Sequence, residues 1–240
     1  MNRLRNPRWR FPAVLATAVT LAAVLVGASQ VGAADDTATA PLAAATTAHT
    51  SAAEPSPFAG IEQRGAALGS PNAPVTLVEY ADLQCPYCAQ WARDALPTLV
   101  EDYVRQGKLR IVFSGMAFIG PDSDKALRTA IAAGQQNHLW EIVHGLYARQ
   151  GPENAGWVTD ELVVGVAAAT GLDGEKLQKA RLESSVDQEL ERAAGAAQVA
   201  GITSTPAFQV GPTGGRLDVV RVDSLGPEGI RPAIEAVLAR

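Results

Sequence analysis

The stretch LVEYADLQCPYCAQWA, residues 77–92, contains both cysteines of the 240-residue chain, Cys85 and Cys88. The β-branched apolar run VTLVEYA that leads into it is typical of a buried strand, whereas the apolar spacing over residues 86–106 is helical. Cys85 is therefore predicted at a strand-to-helix junction, with Cys88 one turn further along on the same helical face. Two cysteines this close can form a structural disulfide, half of a metal site or a redox pair.

The elements that follow the cysteines can be predicted from proline, glycine and apolar spacing. Pro97 removes a backbone donor from the helix over 86–106 and should kink it near residues 93–97, and Gly107 should end it. The run KLRIVFSGMAF, residues 108–118, predicts a second strand. A strand–helix–strand order favours a parallel pair joined by a right-handed crossover.

Residues 121–200 have apolar side chains at helical spacing in four successive runs and predict an all-helical block. Thr159 and Ser185 are predicted helix starts, and Gly201 should end the last helix. The runs AFQVG and RLDVVRV then predict an antiparallel hairpin, and residues 232–238 predict a final helix that begins at a proline. The sequence predicts an α/β domain with a small mixed sheet interrupted by helices.

The N-terminal region predicts export. Residues 1–33 contain four arginines followed by an uncharged run from Phe11 to Ala28, which is the pattern of a signal peptide or an N-terminal membrane anchor. Residues 34–57 are almost all Ala, Thr, Ser and Pro and predict a disordered linker. Residues 58–240 then form one domain, expected outside the cytoplasm, either secreted or anchored to the cell membrane.

Composition and charge argue against one class of function, the binding of nucleic acid. Hydrophobic residues make up 47% of the chain, which is ordinary for a globular protein. The formal net charge is −5 at pH 7, and it is more negative still without the four leader arginines. No nucleic-acid partner is expected for such a balance.

Neither non-redox interpretation of the cysteine pair fits well. A disulfide that closes a four-residue loop stabilises a fold by only about 2 kcal/mol, against roughly 4 to 5 for a long loop. A zinc site would have to add His138 and His144 to the two cysteines. Helical positions six apart point about 120° away from each other, and the chain has no second cysteine pair. No metal site is therefore predicted.

The redox interpretation gives each position of the motif a role. Cys85 should lie beside free N–H groups and the positive end of the helix dipole, which favour the thiolate. Cys88 should be more sheltered and resolve the mixed disulfide. Pro86 fits the first helical turn, where its missing donor costs nothing, and Tyr87 is a contact and tuning residue.

Several features together resemble the DsbA-like thiol:disulfide oxidoreductases, which are exported members of the thioredoxin superfamily. They are VTLVEYADLQ running into CPYC, a kinked helix, the helical block, and residues 204–208, STPAF, leading into a strand. CPYC alone is also common in glutaredoxins. The resemblance covers residues 59–240 and implies a thioredoxin fold with a large helical insertion, about 121–200, between the CxxC helix and the cis-proline strand.

The same resemblance assigns further site residues. It implies a cis peptide bond between Thr205 and Pro206, facing the cysteines, with both residues contacting the substrate backbone. Pro86 and Tyr87, within the motif, are predicted as further substrate-binding residues. It implies no cofactor beyond a redox-active Cys85–Cys88 disulfide. Ser204 stands where relatives often have glycine, and the middle pair of CPYC lacks a histidine that could stabilise the thiolate.

Glu79 is an acid within an otherwise apolar strand, six positions before Cys85. A buried carboxylate should have a raised pKa and could relay a proton to or from Cys88. The resemblance implies the same role, because members of the family have an acid at this position for which proton relay has been proposed. A solvated acid at the strand end is the alternative. Asp82 lies nearer the strand end and is expected to be exposed.

The predicted function is an oxidase that introduces disulfides into reduced exported proteins by exchange at Cys85 and Cys88. By resemblance, a membrane quinone-linked partner would reoxidise it. The direction of exchange depends on the reduction potential, which sequence does not fix. An envelope reductase or isomerase, or a non-catalytic binding module that uses the groove between Tyr87 and Pro206, remains an alternative.

Overall fold

The computed structural model describes residues 56–240, and within them six strands form one mixed sheet. The predicted export segment, 1–33, and all but the last two residues of the predicted linker, 34–57, lie outside the described residues. The sheet order is β1-β2-β4-β3-β5-β6. The strands are β1 Gln63–Arg64, β2 Ala67–Leu68, β3 Val75–Asp82, β4 Leu109–Met116, β5 Ala207–Pro212 and β6 Asp218–Val220.

The pairing around β3 confirms the predicted topology. β3 runs parallel to β4, with Val75 opposite Leu109 and Asp82 opposite Met116. On its other side β3 pairs with β5 in the antiparallel sense, and β5 pairs with β6 as the predicted hairpin. The carboxyl ends of β3 and β4 and the start of β5 therefore meet at one edge of the sheet, the edge at which Cys85 follows β3.

Eight α-helices and one π-helical turn surround the sheet within the same part of the chain. Five of the helices form the insertion between β4 and β5, where sequence predicted an all-helical block. The short fourth of these five, at Gly174–Ala180, was not among the predicted runs. The helices are α1 Pro86–Asp94, α2 Leu96–Leu99, the π turn Val100–Val104, α3 Pro121–Gly134, α4 Leu139–Tyr147, α5 Asp160–Ala169, α6 Gly174–Ala180, α7 Ser184–Val199 and α8 Pro227–Leu238.

The helix after the cysteines is interrupted as predicted. Its first segment ends at Asp94, with Ala95 as the C-cap residue, and Pro97 lies in the first turn of the next segment, where it has no N–H for the carbonyl four residues before it. Gly107 ends the whole stretch with a φ of 68°. The first segment packs on β5, where the rings of Trp91 and Phe208 lie 5.1 Å apart.

Two predicted helix starts are displaced. Thr159 caps α5 as predicted, accepting a hydrogen bond from the Leu162 N–H at 3.1 Å, but α7 begins at Ser184 with Glu183 as its N-cap residue. The final helix begins five residues before Pro232, because Pro227 already occupies its first turn. The buried side chains of Ile230 and Ile234 lie on either side of Pro232. Because both side chains pack in the hydrophobic core, they stabilise the helix on both sides of Pro232.

None of the helices among residues 56–240 has both the length and the apolar character needed to cross a bilayer.

Candidate active site

The two cysteines lie where β3 passes into α1. Cys85 is the N-cap residue of α1, with φ −70° and ψ 119°, and Pro86 takes the first helical position. Both cysteines are free thiols. Cys85 is 5% exposed and Cys88 is fully buried, so of these two residues Cys85 is the one with access to a partner molecule. The sequence prediction of an outer and a sheltered cysteine agrees with this placement.

The surroundings of Cys85 favour its ionised form. Its pKa is lowered from the ordinary 9.0 to about 6, first by a hydrogen bond from the Cys88 thiol, with smaller contributions from the Thr205 side chain and the N–H groups of Cys88 and Tyr87. Desolvation opposes this shift but is outweighed. The N–H groups are the free donors of the first helical turn, which is the mechanism expected for a cysteine at a helix start.

Cys88 has the opposite character. Burial raises the pKa of its thiol far above the ordinary range, and the neighbouring Cys85 and Glu79 raise it further. Cys88 therefore stays protonated beside an ionised Cys85 and can donate a hydrogen bond to the Cys85 sulfur. The pair is polarised, with one thiolate near the surface and one neutral thiol beneath it.

The Thr205–Pro206 segment faces the pair. The bond between these residues is cis, as the family resemblance implied. Pro206 comes just before β5, whose first residue, Ala207, pairs with Tyr80 near the end of β3. This antiparallel pairing brings the segment to the edge where Cys85 lies, and in its protonated form the Cys85 thiol donates to the Thr205 carbonyl oxygen at 3.6 Å. Both Thr205 and Pro206 are half-buried.

The predicted burial of Glu79 is confirmed. Its side chain is 1% exposed, and its pKa is raised from 4.5 to about 8 by desolvation. The cause lies in the sheet register, since Glu79 is opposite Phe113 on β4 and Phe208 on β5, and both rings are buried on the same face. Its Oε1 atom is buried without a hydrogen-bond partner in the described part of the chain. A neutral carboxyl group below Cys88 is the form that this environment favours.

The expected exposure of Asp82 is wrong, because this residue is fully buried. Its Oδ1 accepts from the Gln84 N–H at 2.9 Å and the Ser123 hydroxyl at 2.6 Å. Its Oδ2 accepts from the N–H groups of Phe118 and Ile119 at 3.1 and 3.3 Å. Four hydrogen bonds replace the water that a carboxylate at a strand end would otherwise bind.

Two exposed aromatic side chains mark the rim of the site. Tyr87 is 62% exposed in the first turn of α1, next to the exposed Pro86, and Phe118 is 53% exposed in the segment that follows β4. Because β3 and β4 are parallel neighbours, both residues follow strands that end at the same edge. They leave apolar surface exposed at this edge of the sheet.

The histidines raised by the zinc interpretation lie on and beside α4. His138 is its N-cap residue, 3.8 Å from Glu141, and the ring of His144 lies 5.9 Å from that of Phe58. Within residues 56–240, no group of three or more His, Cys, Asp and Glu side chains is arranged to hold a metal ion.

Comparison with known proteins identifies the family. A family model described as Thioredoxin matches residues 62–231, which is well over half of the chain. The chain belongs to the thioredoxin family. A relative from Bacillus anthracis, described as a probable disulfide bond formation protein D, is 30% identical over 147 residues, which cover 60% of this chain and 68% of the relative. This thioredoxin-family chain is therefore a DsbA-like thiol:disulfide oxidoreductase.

Solved structures show the same fold. BdbD from Bacillus subtilis, in its oxidised form, has a TM-score of 0.64 at 23% identity and covers 73% of this chain and 94% of its own. The alpha-DsbA1 protein of Wolbachia pipientis has a TM-score of 0.63 at 19% identity and covers 72% and 90%. The predicted fold class, a thioredoxin fold with a helical insertion before the cis-proline strand, is confirmed.

Polar residues of this DsbA-like chain that sequence did not single out surround the cysteine turn. Gln84 is 1% exposed and hydrogen-bonded to residues of the insertion, and Gln150 donates to two carbonyls of the turn. Glutamine carries no local signal for either role, because its partners lie far away along the chain.

The lowered pKa of Cys85 can be measured directly. We expect iodoacetamide to alkylate the reduced protein with a rate that rises with pH and has its midpoint near 6. The Cys85→Ser variant should lose this reaction, because Cys88 is buried and protonated. A midpoint near 9, the value of an ordinary thiol, would contradict the polarised pair.

Proposed function

We propose that this chain is an oxidase that introduces disulfides into reduced exported proteins outside the cytoplasm. The observation that carries the proposal is the thiolate of Cys85, whose pKa is lowered to about 6 at a helix start and beside a buried partner thiol. The direction of exchange follows from what this thiolate does to the redox equilibrium.

A stabilised thiolate favours the reduced enzyme over its disulfide, and an enzyme that favours its reduced form is a strong oxidant. At pH 7 a thiol with a pKa of about 6 is mostly ionised, so one unit of this shift stabilises the reduced state directly. One unit corresponds to about 1.4 kcal/mol, or about 30 mV for a two-electron couple. The shift therefore moves the potential towards the oxidising end.

The oxidation uses the two sulfurs in sequence. A substrate thiolate attacks the Cys85 sulfur of the enzyme disulfide, a substrate–Cys85 bond forms, and the bond to Cys88 breaks. A second substrate thiolate then attacks the substrate sulfur, forms the new disulfide and releases Cys85 as a thiolate. The pair of electrons passes from the substrate to the enzyme, which ends as a dithiol.

Glu79 has a part in the first of these steps. Cys88 leaves as a thiolate in a buried site that strongly favours its protonated form. With a pKa of about 8, Glu79 is mostly protonated at pH 7 and can supply that proton, and in the reverse direction it can accept it. We assign Glu79 as the proton relay and Cys88 as the resolving cysteine.

Substrate contacts are proposed at the rim. The half-buried Thr205 and Pro206 lie just before β5, beside Cys85, and can pair with the extended backbone of a substrate. The exposed Pro86 and Tyr87 would contact the residues that flank the substrate cysteine.

The location and the reoxidising partner rest on sequence and on the family. The arginine-rich start and uncharged run of residues 1–33 support a place outside the cytoplasm, secreted or tethered to the membrane. Because each cycle leaves the enzyme as a dithiol, an electron acceptor must regenerate the disulfide. We propose a membrane quinone-linked protein for this step, as in the family.

The reduction potential tests the direction. In glutathione buffers we expect a value less negative than about −200 mV, towards the oxidising end of the roughly −270 to −120 mV range of such pairs. The oxidised protein should also refold a reduced substrate with native disulfides. A potential near −270 mV, with efficient reduction of insulin and no oxidative refolding, would instead favour a reductase.

A further inference from the structure

Gln150 reaches from the helical insertion to the backbone of the turn that carries Cys85. This turn, residues 82–85, is called the active-site turn below. The Gln150 side-chain amide donates to the carbonyl of Leu83 at 2.9 Å and to that of Cys85 at 3.2 Å. One NH2 group thus joins two carbonyls that are two residues apart, and it lies in the segment after α4, outside the sheet and outside α1.

The rest of the active-site turn is held by neighbouring polar groups. The N–H of Gln84 donates to Asp82 Oδ1 at 2.9 Å. The Gln84 amide donates to Ser123 Oγ at 3.0 Å and to Asn154 Oδ1 at 3.3 Å, and its oxygen accepts from the Asn154 N–H at 2.6 Å. Because Gln84 is held through both backbone and side chain, Gln150 acts on a turn whose first half is already fixed.

Of the two carbonyls that Gln150 binds, the Cys85 carbonyl controls the position of the Cys85 sulfur. It belongs to the peptide plane between Cys85 and Pro86, and a proline contributes no N–H to that plane. The orientation of the plane sets ψ of Cys85, which is 119°. That angle decides how close the sulfur lies to the N–H groups of Tyr87 and Cys88. The helix itself supplies one further bond to this carbonyl, from the Ala89 N–H at 3.2 Å.

We propose that Gln150 is a positioning residue for the nucleophile, which fixes the peptide plane after Cys85 so that the first-turn N–H groups point at its sulfur. This role rests on the proposed function of Cys85. The insertion thereby takes part in the chemistry of the pair, although none of its residues is a cysteine or an acid of the site.

The titratable groups that face the pair lie on elements other than the segment that carries Gln150. Cys88 lies on α1, Glu79 on β3, Asp82 in the active-site turn and Tyr147 on α4. A change in the Cys85 titration on substitution of Gln150 alone would therefore come through geometry.

The test compares two glutamines of the insertion in the full-length reduced protein. Gln150→Met keeps the side-chain length but removes both donors. Gln135→Met is the matched control. The Gln135 amide is also a donor within the insertion, but its hydrogen bond goes to Ser185 Oγ, at 2.9 Å, on an exposed surface. The measurement is the pH profile of iodoacetamide alkylation, with thermal unfolding of each variant recorded alongside.

We expect Gln150→Met to be alkylated about three- to tenfold more slowly at pH 5, where the rate is proportional to the thiolate fraction, and its midpoint to move upward. Gln135→Met should match the unsubstituted protein. Gln150→Leu, which also lacks both donors and adds no charge, should shift in the same direction as Gln150→Met and replaces it if the methionine variant does not fold.

An unchanged profile for folded Gln150→Met or Gln150→Leu would overturn the positioning role and leave the proposed function intact. An equal shift in Gln135→Met would overturn it as well, since any loosening of the insertion would then suffice. A midpoint near 9 in the unsubstituted protein would overturn the assignment of Cys85 as a thiolate nucleophile, and the positioning role with it.

Discussion

Replacing Cys85 with serine is expected to abolish disulfide exchange, with a loss of at least about a thousandfold, because this substitution removes the only reactive sulfur near the surface. Cys88→Ser should also lose dithiol oxidation, but for a different reason. The remaining Cys85 thiolate can still attack a disulfide, and the resulting mixed disulfide has no partner to resolve it. Covalent complexes should therefore accumulate in Cys88→Ser alone.

The two variants can be compared on non-reducing gels after incubation with a disulfide-containing protein, with mass spectrometry of the adducts. Each variant serves as the control for the other, since both lack one sulfur of the pair. Adducts on Cys85→Ser and none on Cys88→Ser would reverse the assigned roles. Full activity in both variants would show that the cysteine pair has no redox function.

Glu79 should make the folded protein less stable as the pH rises. Its pKa is about 8 in the folded chain and 4.5 when unperturbed, so between these values the folded state holds a proton that the unfolded state has lost. The free energy of unfolding therefore falls across pH 4.5 to 8, at most by about 1.4 kcal/mol per unit and by roughly 3 to 5 kcal/mol in total.

Glu79→Gln should abolish that loss, because the amide stays neutral. Urea unfolding of the reduced proteins should give similar stabilities near pH 4.5 and a variant more stable by roughly 3 to 5 kcal/mol at pH 8. Titration of Cys85 affects both proteins and cancels in the difference. The exposed Glu191, changed to glutamine, is the matched control and should leave the curve unaltered. Parallel curves for Glu79→Gln and the unsubstituted protein would show that Glu79 is ionised in the fold.

The parts of the fold that sequence predicts correctly are those with a local cause. The β-branched run before the cysteines predicts β3, Pro97 predicts the break between α1 and α2, and Gly107 ends the stretch with a positive φ of 68°. β1 and β2, with two residues each, are too short to give a periodic pattern. Pro232 misled the prediction of α8 because an earlier proline occupies the first turn, and the preference of proline for that position does not distinguish them.

Sequence predicts the site residues for which the family resemblance and the local pattern agree. It misses the residues whose role depends on partners far away along the chain. Cys85, Cys88 and Glu79 can be placed from the strand-to-helix junction and the alternation of β3. The burial of Asp82 could not be predicted, because the Phe118, Ile119 and Ser123 groups that bind it lie 36, 37 and 41 residues further along the chain. For the same reason no sequence pattern distinguished Gln150 from other surface glutamines.

The attachment of the active-site turn to the insertion has an evolutionary consequence. Ser123, Gln150 and Asn154 all belong to the segment between β4 and β5, whereas the groups that they bind belong to the sheet and its junction with α1. A chain in which another segment replaced this one would therefore also lose the side chains that hold its nucleophile. The reactivity of the pair is thus inherited with the insertion, although both cysteines lie outside it.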